Sequence, residues 1–129
     1  MIPKRILIAD ENQALVESLA SGCQRLGFRA RCIYDGRQVL AELLEFEPDL
    51  ICLDASLKDA DGVNVCELVA ADPRCFGMPL IVLSGIGTVP SCHEVYAHYV
   101  LKCKNVWQRI EPLLLEMFPP CTYDESTAL

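Results

Sequence analysis

The sequence predicts a single α/β domain in which five parallel strands alternate with helices. Apolar runs of four or five residues recur along the chain, and stretches of helical periodicity separate them. This alternation is typical of a parallel sheet covered by helices on both faces. The chain has 129 residues, and 52% of them are hydrophobic, which is enough for one core of ordinary size. We therefore expect one domain over residues 1–118 and a short tail over residues 119–129.

The five predicted strands are short aliphatic runs, the kind of segment that a buried parallel strand requires. They cover, in chain order, residues 4–9, 28–33, 50–54, 79–84 and 98–101. Four of these runs end in polar residues. Because the carboxyl ends of parallel strands meet at one edge of the sheet, we expect the polar side chains to collect there. They belong to Asp10, Glu11, Asp54, Ser84 and Lys102.

The first two helices have clear start and stop signals. Asn12 can cap the first helix with its side-chain oxygen, and Gly27 can end it. Asp35 is expected to cap the second helix in the same way. That helix should end before Pro48, because the residue before a proline avoids helical geometry.

The later helices are predicted with interruptions. The third is expected to include Val63 and to end before Pro73. A fourth is confined to about residues 91–97, because two glycines and a proline precede it. The last begins near residue 104 and contains Pro112, which is expected to bend or divide it.

Composition excludes several functional classes. The net charge is -7, and no block of consecutive Lys and Arg residues is present, which speaks against nucleic-acid binding. No apolar stretch reaches the roughly 18 residues of a membrane span, and the first apolar run is too short for a signal peptide. We therefore expect a cytoplasmic protein that contacts neither nucleic acid nor membrane.

Eight cysteines are scattered among aliphatic residues, without any Cys-x-x-Cys pair. Because the chain is rich enough in Val, Ile and Leu to fold without disulfides, these cysteines are predicted to be reduced thiols. One loose cluster matches no standard zinc spacing, and its members are Cys92, His93, His98 and Cys103.

The predicted edge of the sheet limits the chemistry. Three carboxylates packed within a few ångströms repel one another. Either one of them is then protonated, or a cation is bound between them. Oxygen ligands fit Mg²⁺ better than zinc, since no His or Cys converges there. Lys102 can pair with a carboxylate or with a phosphoryl oxygen, and Ser84 can donate a hydrogen bond to the same group.

Over about residues 3–118, the chain resembles the receiver domain of two-component response regulators. In that family an acidic pair after strand one binds Mg²⁺, and an aspartate after strand three accepts a phosphoryl group. The donor is a histidine kinase or a phosphotransfer protein. A Ser or Thr after strand four and a Lys after strand five complete the site. The matching residues here, in the same order, are Asp10 and Glu11, Asp54, Ser84 and Lys102.

The resemblance carries further implications. It implies a doubly wound sheet of flavodoxin-like strand order 2-1-3-4-5. Gly62 matches the glycine that opens helix three, and Tyr99 matches the aromatic residue that moves with Ser84 when the domain switches. Ser56 would offer its backbone carbonyl to the metal. The implied protein is a single-domain phosphoacceptor rather than a turnover enzyme, and it acts through an unidentified downstream protein.

The sequence also departs from the family pattern. Glu11 stands where aspartate is usual, and Lys58 replaces a proline, which is expected to loosen the loop after Asp54. Cys103 replaces the proline after Lys102, so the cis bond typical of that joint is not expected.

Two other functions remain open at this point. One is a pseudo-receiver, an interaction module that works without phosphorylation. The other is a flavodoxin-like cofactor binder, which is disfavoured because the Asp10-Glu11 pair would repel a phosphate in the first loop.

Overall fold

The computed structural model describes residues 2–85 and 97–120. Five parallel strands form one sheet in the order β2-β1-β3-β4-β5, which confirms the predicted topology. The strands are β1 (Arg5–Ala9), β2 (Arg29–Ile33), β3 (Leu50–Asp54), β4 (Leu80–Ser84) and β5 (Ala97–Leu101).

Four α-helices cover the sheet within the described residues. They are α1 (Gln13–Arg25), α2 (Val39–Phe46), α3 (Val65–Ala71) and α4 (Val106–Met117). The helix predicted near residues 91–97 falls outside the described residues, apart from Ala97, which begins β5. No described helix is long and apolar enough to cross a membrane.

The start of α1 is as predicted, whereas the start of α2 is not. The side chain of Asn12 accepts a hydrogen bond from the Leu15 N–H at 3.1 Å, and Gly27 follows α1 with a φ of 91°. Asp35 caps a 3-10 turn over Gly36–Gln38 instead of capping α2 itself. Because this turn lies between Asp35 and the helix, α2 begins only at Val39.

Helix α3 begins later than predicted. Val63 stays in the preceding loop because Asn64 is the capping residue, and its side-chain oxygen accepts from the Cys66 N–H at 2.9 Å. Gly62 does not open the helix directly; it lies in a turn with a φ of 78°, a conformation that glycine adopts without strain.

Helix α4 begins at Val106 rather than near residue 104, and it runs without a break across Pro112. The proline lacks an N–H, so one helical hydrogen bond is missing at this turn. Burial of Val106, Ile110 and Leu114 against the sheet stabilises the helix in spite of that loss.

The sheet separates two hydrophobic clusters. Helices α2 and α3 cover one face, and helices α1 and α4 cover the other. Strand β3 contributes to both, since Ile51 and Leu53 point to the first face and Leu50 and Cys52 to the second. Every residue of β3 is buried, as its uninterrupted apolar run predicts.

Close packing of α1 on α4 depends on a glycine. A carbon atom added at Gly22 would lie 2.6 Å from the ring of Trp107, so the indole rests directly on the α1 backbone. Gly22 is buried in the middle of the helix. At such a position glycine is normally less favourable than alanine, because it loses more conformational freedom on folding.

The six cysteines that the structure describes form no disulfide with one another. Burial, helped by nearby Cys32, raises the pKa of the Cys23 thiol to about 12. Burial likewise raises the pKa of Cys52. These thiols therefore stay protonated and behave as small apolar side chains of the core.

Candidate functional site

Three of the five predicted edge residues form one ionic cluster. The Nζ atom of Lys102 lies 2.7 Å from Oδ2 of Asp10 and 3.0 Å from Oδ1 of Asp54. Asp10 is only 2% exposed and Asp54 only 8% exposed. Two buried carboxylates thus share one ammonium group.

Strand pairing places these three residues. The Asp10 N–H continues the sheet by donating to the Ile33 carbonyl at 3.1 Å, and Asp54 is the last residue of β3. Lys102 follows β5, and its N–H donates to the Ser84 carbonyl at 2.8 Å. Because β4 separates β5 from β3, only a long side chain such as that of Lys102 can reach both carboxylates.

The cluster controls the charge of the lysine. Burial by itself lowers the pKa of Lys102, but the contacts and charges of Asp10 and Asp54 outweigh burial and hold that pKa above the ordinary lysine value. The ammonium is therefore charged at neutral pH. Oδ2 of Asp10 is buried and lies in ionic contact with the Lys102 ammonium, but it accepts no well-aligned hydrogen bond.

Ser56 holds the carboxylate of Asp54 through both of its donors. Its N–H donates to Oδ1 of Asp54 at 3.4 Å, and its hydroxyl donates to Oδ2 at 3.0 Å. The family resemblance implies only a carbonyl role for Ser56, and the contact of its hydroxyl was not predicted. A serine two residues after an aspartate was the available signal, since such pairs form local side-chain hydrogen bonds.

The other predicted residues take no part in these ion pairs of Lys102. Glu11 is exposed at the start of the loop after β1, and Ser84 is half-buried at the end of β4. Tyr99 lies on the edge strand β5 opposite Val82, and its side chain is 44% exposed.

The donor chemistry fits a hard cation only in part. Asp10 and Asp54 supply carboxylate oxygens at one point, which is what Mg²⁺ prefers. Within residues 2–85 and 97–120, however, no group of three or more acidic, His or Cys side chains is arranged to hold a metal. Glu11 thus does not complete a three-acid cluster in this conformation, and Lys102 takes the place between the two aspartates.

The loop after Asp54, where Lys58 stands in place of a proline, is anchored by contacts on two sides. Leu57 is buried, and its carbonyl accepts from the Val65 N–H at 2.9 Å. The Lys58 carbonyl lies so close to Gly36 that a carbon added there would be 2.2 Å away. The peptide backbone of the loop is therefore held on both sides, while the Lys58 residue itself is exposed.

Comparison with known sequences identifies relatives of this chain. The family model described as "Response regulator receiver domain" matches residues 6–103. The DNA-binding response regulator MtrA of Mycobacterium tuberculosis is 36% identical over 81 residues, which are 63% of this chain and 34% of MtrA. The DNA-binding dual master transcriptional regulator RpaA of Synechocystis is 31% identical over 85 residues, 66% of this chain and 35% of RpaA. The chain spans about a third of the length of these relatives.

Solved structures share the fold. A receiver domain (CheY-like) from Methylobacillus flagellatus superposes with a TM-score of 0.71 at 22% identity, covering 90% of this chain and 99% of that one. The chemotaxis response regulator CheY4 of Vibrio cholerae gives a TM-score of 0.69 at 17% identity, covering 87% and 97%. With the family model matching most of the chain and the strand order agreeing, the chain belongs to the response regulator receiver domain family.

Proposed function

We propose that this receiver domain accepts a phosphoryl group on Asp54 from a histidine kinase or a phosphotransfer protein, in a reaction that depends on Mg²⁺. Receiver domains of two-component systems are typically phosphorylated in this way, and they generally bind Mg²⁺ for it. The observation that carries the proposal is the pairing of the Asp54 carboxylate with the Lys102 ammonium at 3.0 Å, at the carboxyl edge of the sheet.

The proposed transfer is a single displacement at phosphorus. An oxygen of the Asp54 carboxylate gives an electron pair to the phosphorus, and the bond from phosphorus to the donor's imidazole nitrogen breaks. The nitrogen keeps that electron pair and takes up a proton from solvent. Such a step depends mainly on positioning and on neutralising the equatorial oxygens. Lys102 supplies a fixed positive charge for this purpose, and Ser84 supplies a hydroxyl.

Mg²⁺ would be held by the carboxylates of Asp10, Glu11 and Asp54 and by the Ser56 carbonyl. When bound, it would neutralise charge on the phosphoryl oxygens. Glu11 is exposed, so its longer side chain is free to turn toward the other two acids. Lys102 balances the charge of the two aspartates until the ion arrives.

The proposed output is a changed protein-binding surface. Phosphoryl oxygens on Asp54 would draw in the Ser84 hydroxyl, and Tyr99 would turn from its half-exposed position on β5. We propose that the phosphorylated form of the domain binds a downstream protein. We assign no DNA binding to the domain itself, because its net charge is -7.

A phosphorylation-independent pseudo-receiver is the second candidate. The exposure of Glu11 and the lack of a three-acid group among the described residues favour it. Such a protein would keep the fold and the ion pairs of Lys102 without accepting a phosphoryl group.

Mass measurement separates the two candidates. After incubation with acetyl phosphate and Mg²⁺, we expect intact mass spectrometry to show one added phosphoryl group, and EDTA to prevent it. Asp54→Asn should abolish the adduct, because the nucleophilic oxygen pair is lost. Asp61→Asn, which changes an exposed carboxylate of the same loop, should keep it. A folded, Mg²⁺-bound protein that gains no mass would contradict the proposal and leave the pseudo-receiver.

A further inference from the structure

Asn64 connects the start of α3 to the backbone beside Asp54. Its side-chain oxygen caps the helix by accepting from the N–H groups of Cys66 and Glu67 at 2.9 and 3.3 Å. Its side-chain amide points the other way and donates to the Ala55 carbonyl at 2.8 Å. A capping role needs only the oxygen, so the amide contact requires a separate explanation.

The Ala55 carbonyl belongs to the same peptide group as the Ser56 N–H. That N–H donates to Oδ1 of Asp54, so a continuous chain of hydrogen bonds runs from the Asn64 amide through one planar peptide to the carboxylate. Hydrogen bonds in such a chain polarise one another. The orientation of this peptide also sets the position of the Ser56 Cα atom. It thereby helps to place the Ser56 hydroxyl, which donates to Oδ2 of Asp54.

Neighbouring contacts restrain the same piece of backbone. The Cys66 thiol lies 3.8 Å from the Asp54 carbonyl as a weak donor, and the Ala55 N–H donates to the Leu83 carbonyl of β4 at 2.7 Å. Residue 55 is therefore tied to the sheet through its N–H and to α3 through its carbonyl. Of these neighbouring side-chain contacts, the one from the Asn64 amide reaches the Ala55–Ser56 peptide itself, on the side opposite the Ser56 N–H.

We propose that Asn64 is a positioning residue for Asp54: its amide orients the Ala55–Ser56 peptide so that both donors of Ser56 point at the carboxylate. Its effect on phosphoryl transfer rests on the function proposed above. Its effect on Ser56 does not, because those hydrogen bonds are already present in the unphosphorylated protein.

The first experiment observes the unphosphorylated protein. Asn64→Ser keeps a good capping oxygen, since Ser and Asn are similar at this position, but removes the amide donor. We expect the amide proton of Ser56 to shift upfield in ¹H–¹⁵N spectra, while the capped amides of Cys66 and Glu67 stay close to their original positions. Asn105→Ser is the matched control, because Asn105 stands at the start of α4 and makes no capping hydrogen bond.

The second experiment measures the rate of adduct formation with acetyl phosphate at saturating Mg²⁺. We expect Asn64→Ser to lower this rate about 3- to 10-fold, the range that loss of one hydrogen bond gives. The control variant should keep the original rate. Asn64→Asp, which also caps a helix and also lacks the amide donor, provides the same test if the serine variant folds poorly.

The outcomes are distinguishable. If the Ser56 resonance does not move in either variant, the positioning role of Asn64 is wrong, whatever the phosphorylation result. If the resonance moves but the rate is unchanged, the role in transfer is wrong. If the original protein gains no phosphoryl group, the proposed function fails, and the Ser56 resonance still decides the role of Asn64.

Discussion

Lys102 is the residue on which the charge balance of the site depends. Its ammonium compensates two carboxylates that are almost fully removed from water. Removing one partner of such an arrangement leaves uncompensated buried charge, which costs more than the pair itself contributes. We therefore expect Lys102→Gln to lower the free energy of unfolding at neutral pH by about 1–3 kcal/mol, after allowance for the partial exposure of the lysine.

The pH dependence of this loss has a definite sign. The folded state raises the pKa of Lys102 above its ordinary value of 10.5, so the stability it contributes is fully present below that value. This contribution is lost as the pH rises through the raised pKa of the folded state. Urea unfolding from pH 7 to 11 should therefore show the two proteins converging at the alkaline end.

Lys104→Gln is the control, because Lys104 is exposed two residues away. It removes the same charge without touching the two aspartates and should leave stability nearly unchanged. Equal losses of stability in the two variants would show that the change in net charge, and not the loss of the ion pairs, causes the effect of Lys102→Gln.

Single residues were predictable from sequence where strand geometry places them. Asp10, Asp54 and Lys102 follow apolar runs, and parallel pairing brings the ends of such runs to one edge. The hydroxyl of Ser56 and the amide of Asn64 were missed, because their contacts depend on the path of a loop. Asn64 had a usable signal, since an Asn followed three residues later by Glu67 is a pattern of helix starts.

At the scale of elements, the contact between α1 and α4 is controlled by Gly22 under Trp107. A methyl group at residue 22 would gain helix propensity of about 1 kcal/mol. It would also lie 2.6 Å from a ring that is packed against the core, and relieving such overlap costs about 1–3 kcal/mol. We expect Gly22→Ala to destabilise the protein by about 1 kcal/mol net.

Chemical denaturation measures this balance directly. Ser21→Ala, on the exposed side of the same helix, should be neutral or slightly stabilising and serves as the control. In a double-mutant cycle, the smaller Trp107→Leu background should reduce the penalty of Gly22→Ala. If Gly22→Ala stabilised the original protein, the gain in helix propensity would outweigh the overlap with the Trp107 ring.

Element boundaries followed the sequence only where one signal dominates. Strand β3 matches its prediction because its apolar run is unbroken. Helix α3 begins two residues later than Val63 suggested, since a capping hydrogen bond competes with the apolar pattern. Pro112 does not end α4, because burial of the surrounding apolar face stabilises the turn that the proline weakens.

At the scale of the whole molecule, two cores are joined by one sheet. Leu114 of α4 is fully buried in one of them, so Leu114→Ala should lower the free energy of unfolding by about 2–5 kcal/mol. Because β3 belongs to both clusters, damage on one face should loosen the other as well. We expect far-ultraviolet circular dichroism and Trp107 fluorescence to report the same unfolding transition.

Leu115→Ala is the matched control, since the neighbouring leucine is partly exposed. It should cost much less than Leu114→Ala. Separate transitions by the two probes would show that the helical layers unfold independently.

The global fold was the most predictable level. Alternation of apolar runs and helical segments restricts the topology to a parallel, doubly wound sheet, and the resemblance then supplied the strand order that the structure confirms. The predictions that fall on residues 86–96, above all the short helix there, lie outside the described residues.

The hydrogen bond from the Lys102 N–H to the Ser84 carbonyl has an evolutionary consequence. Lys102 directly follows Leu101, which pairs with Ser84 between β4 and β5, although the chain between the two residues is long. Strand pairing, and not the intervening sequence, therefore fixes their separation. Mutations in the stretch between Ser84 and Ala97 therefore need not displace the Lys102 backbone from the Ser84 carbonyl, as long as β4 and β5 stay paired. Selection can thus remodel that stretch independently of the chemistry beside it.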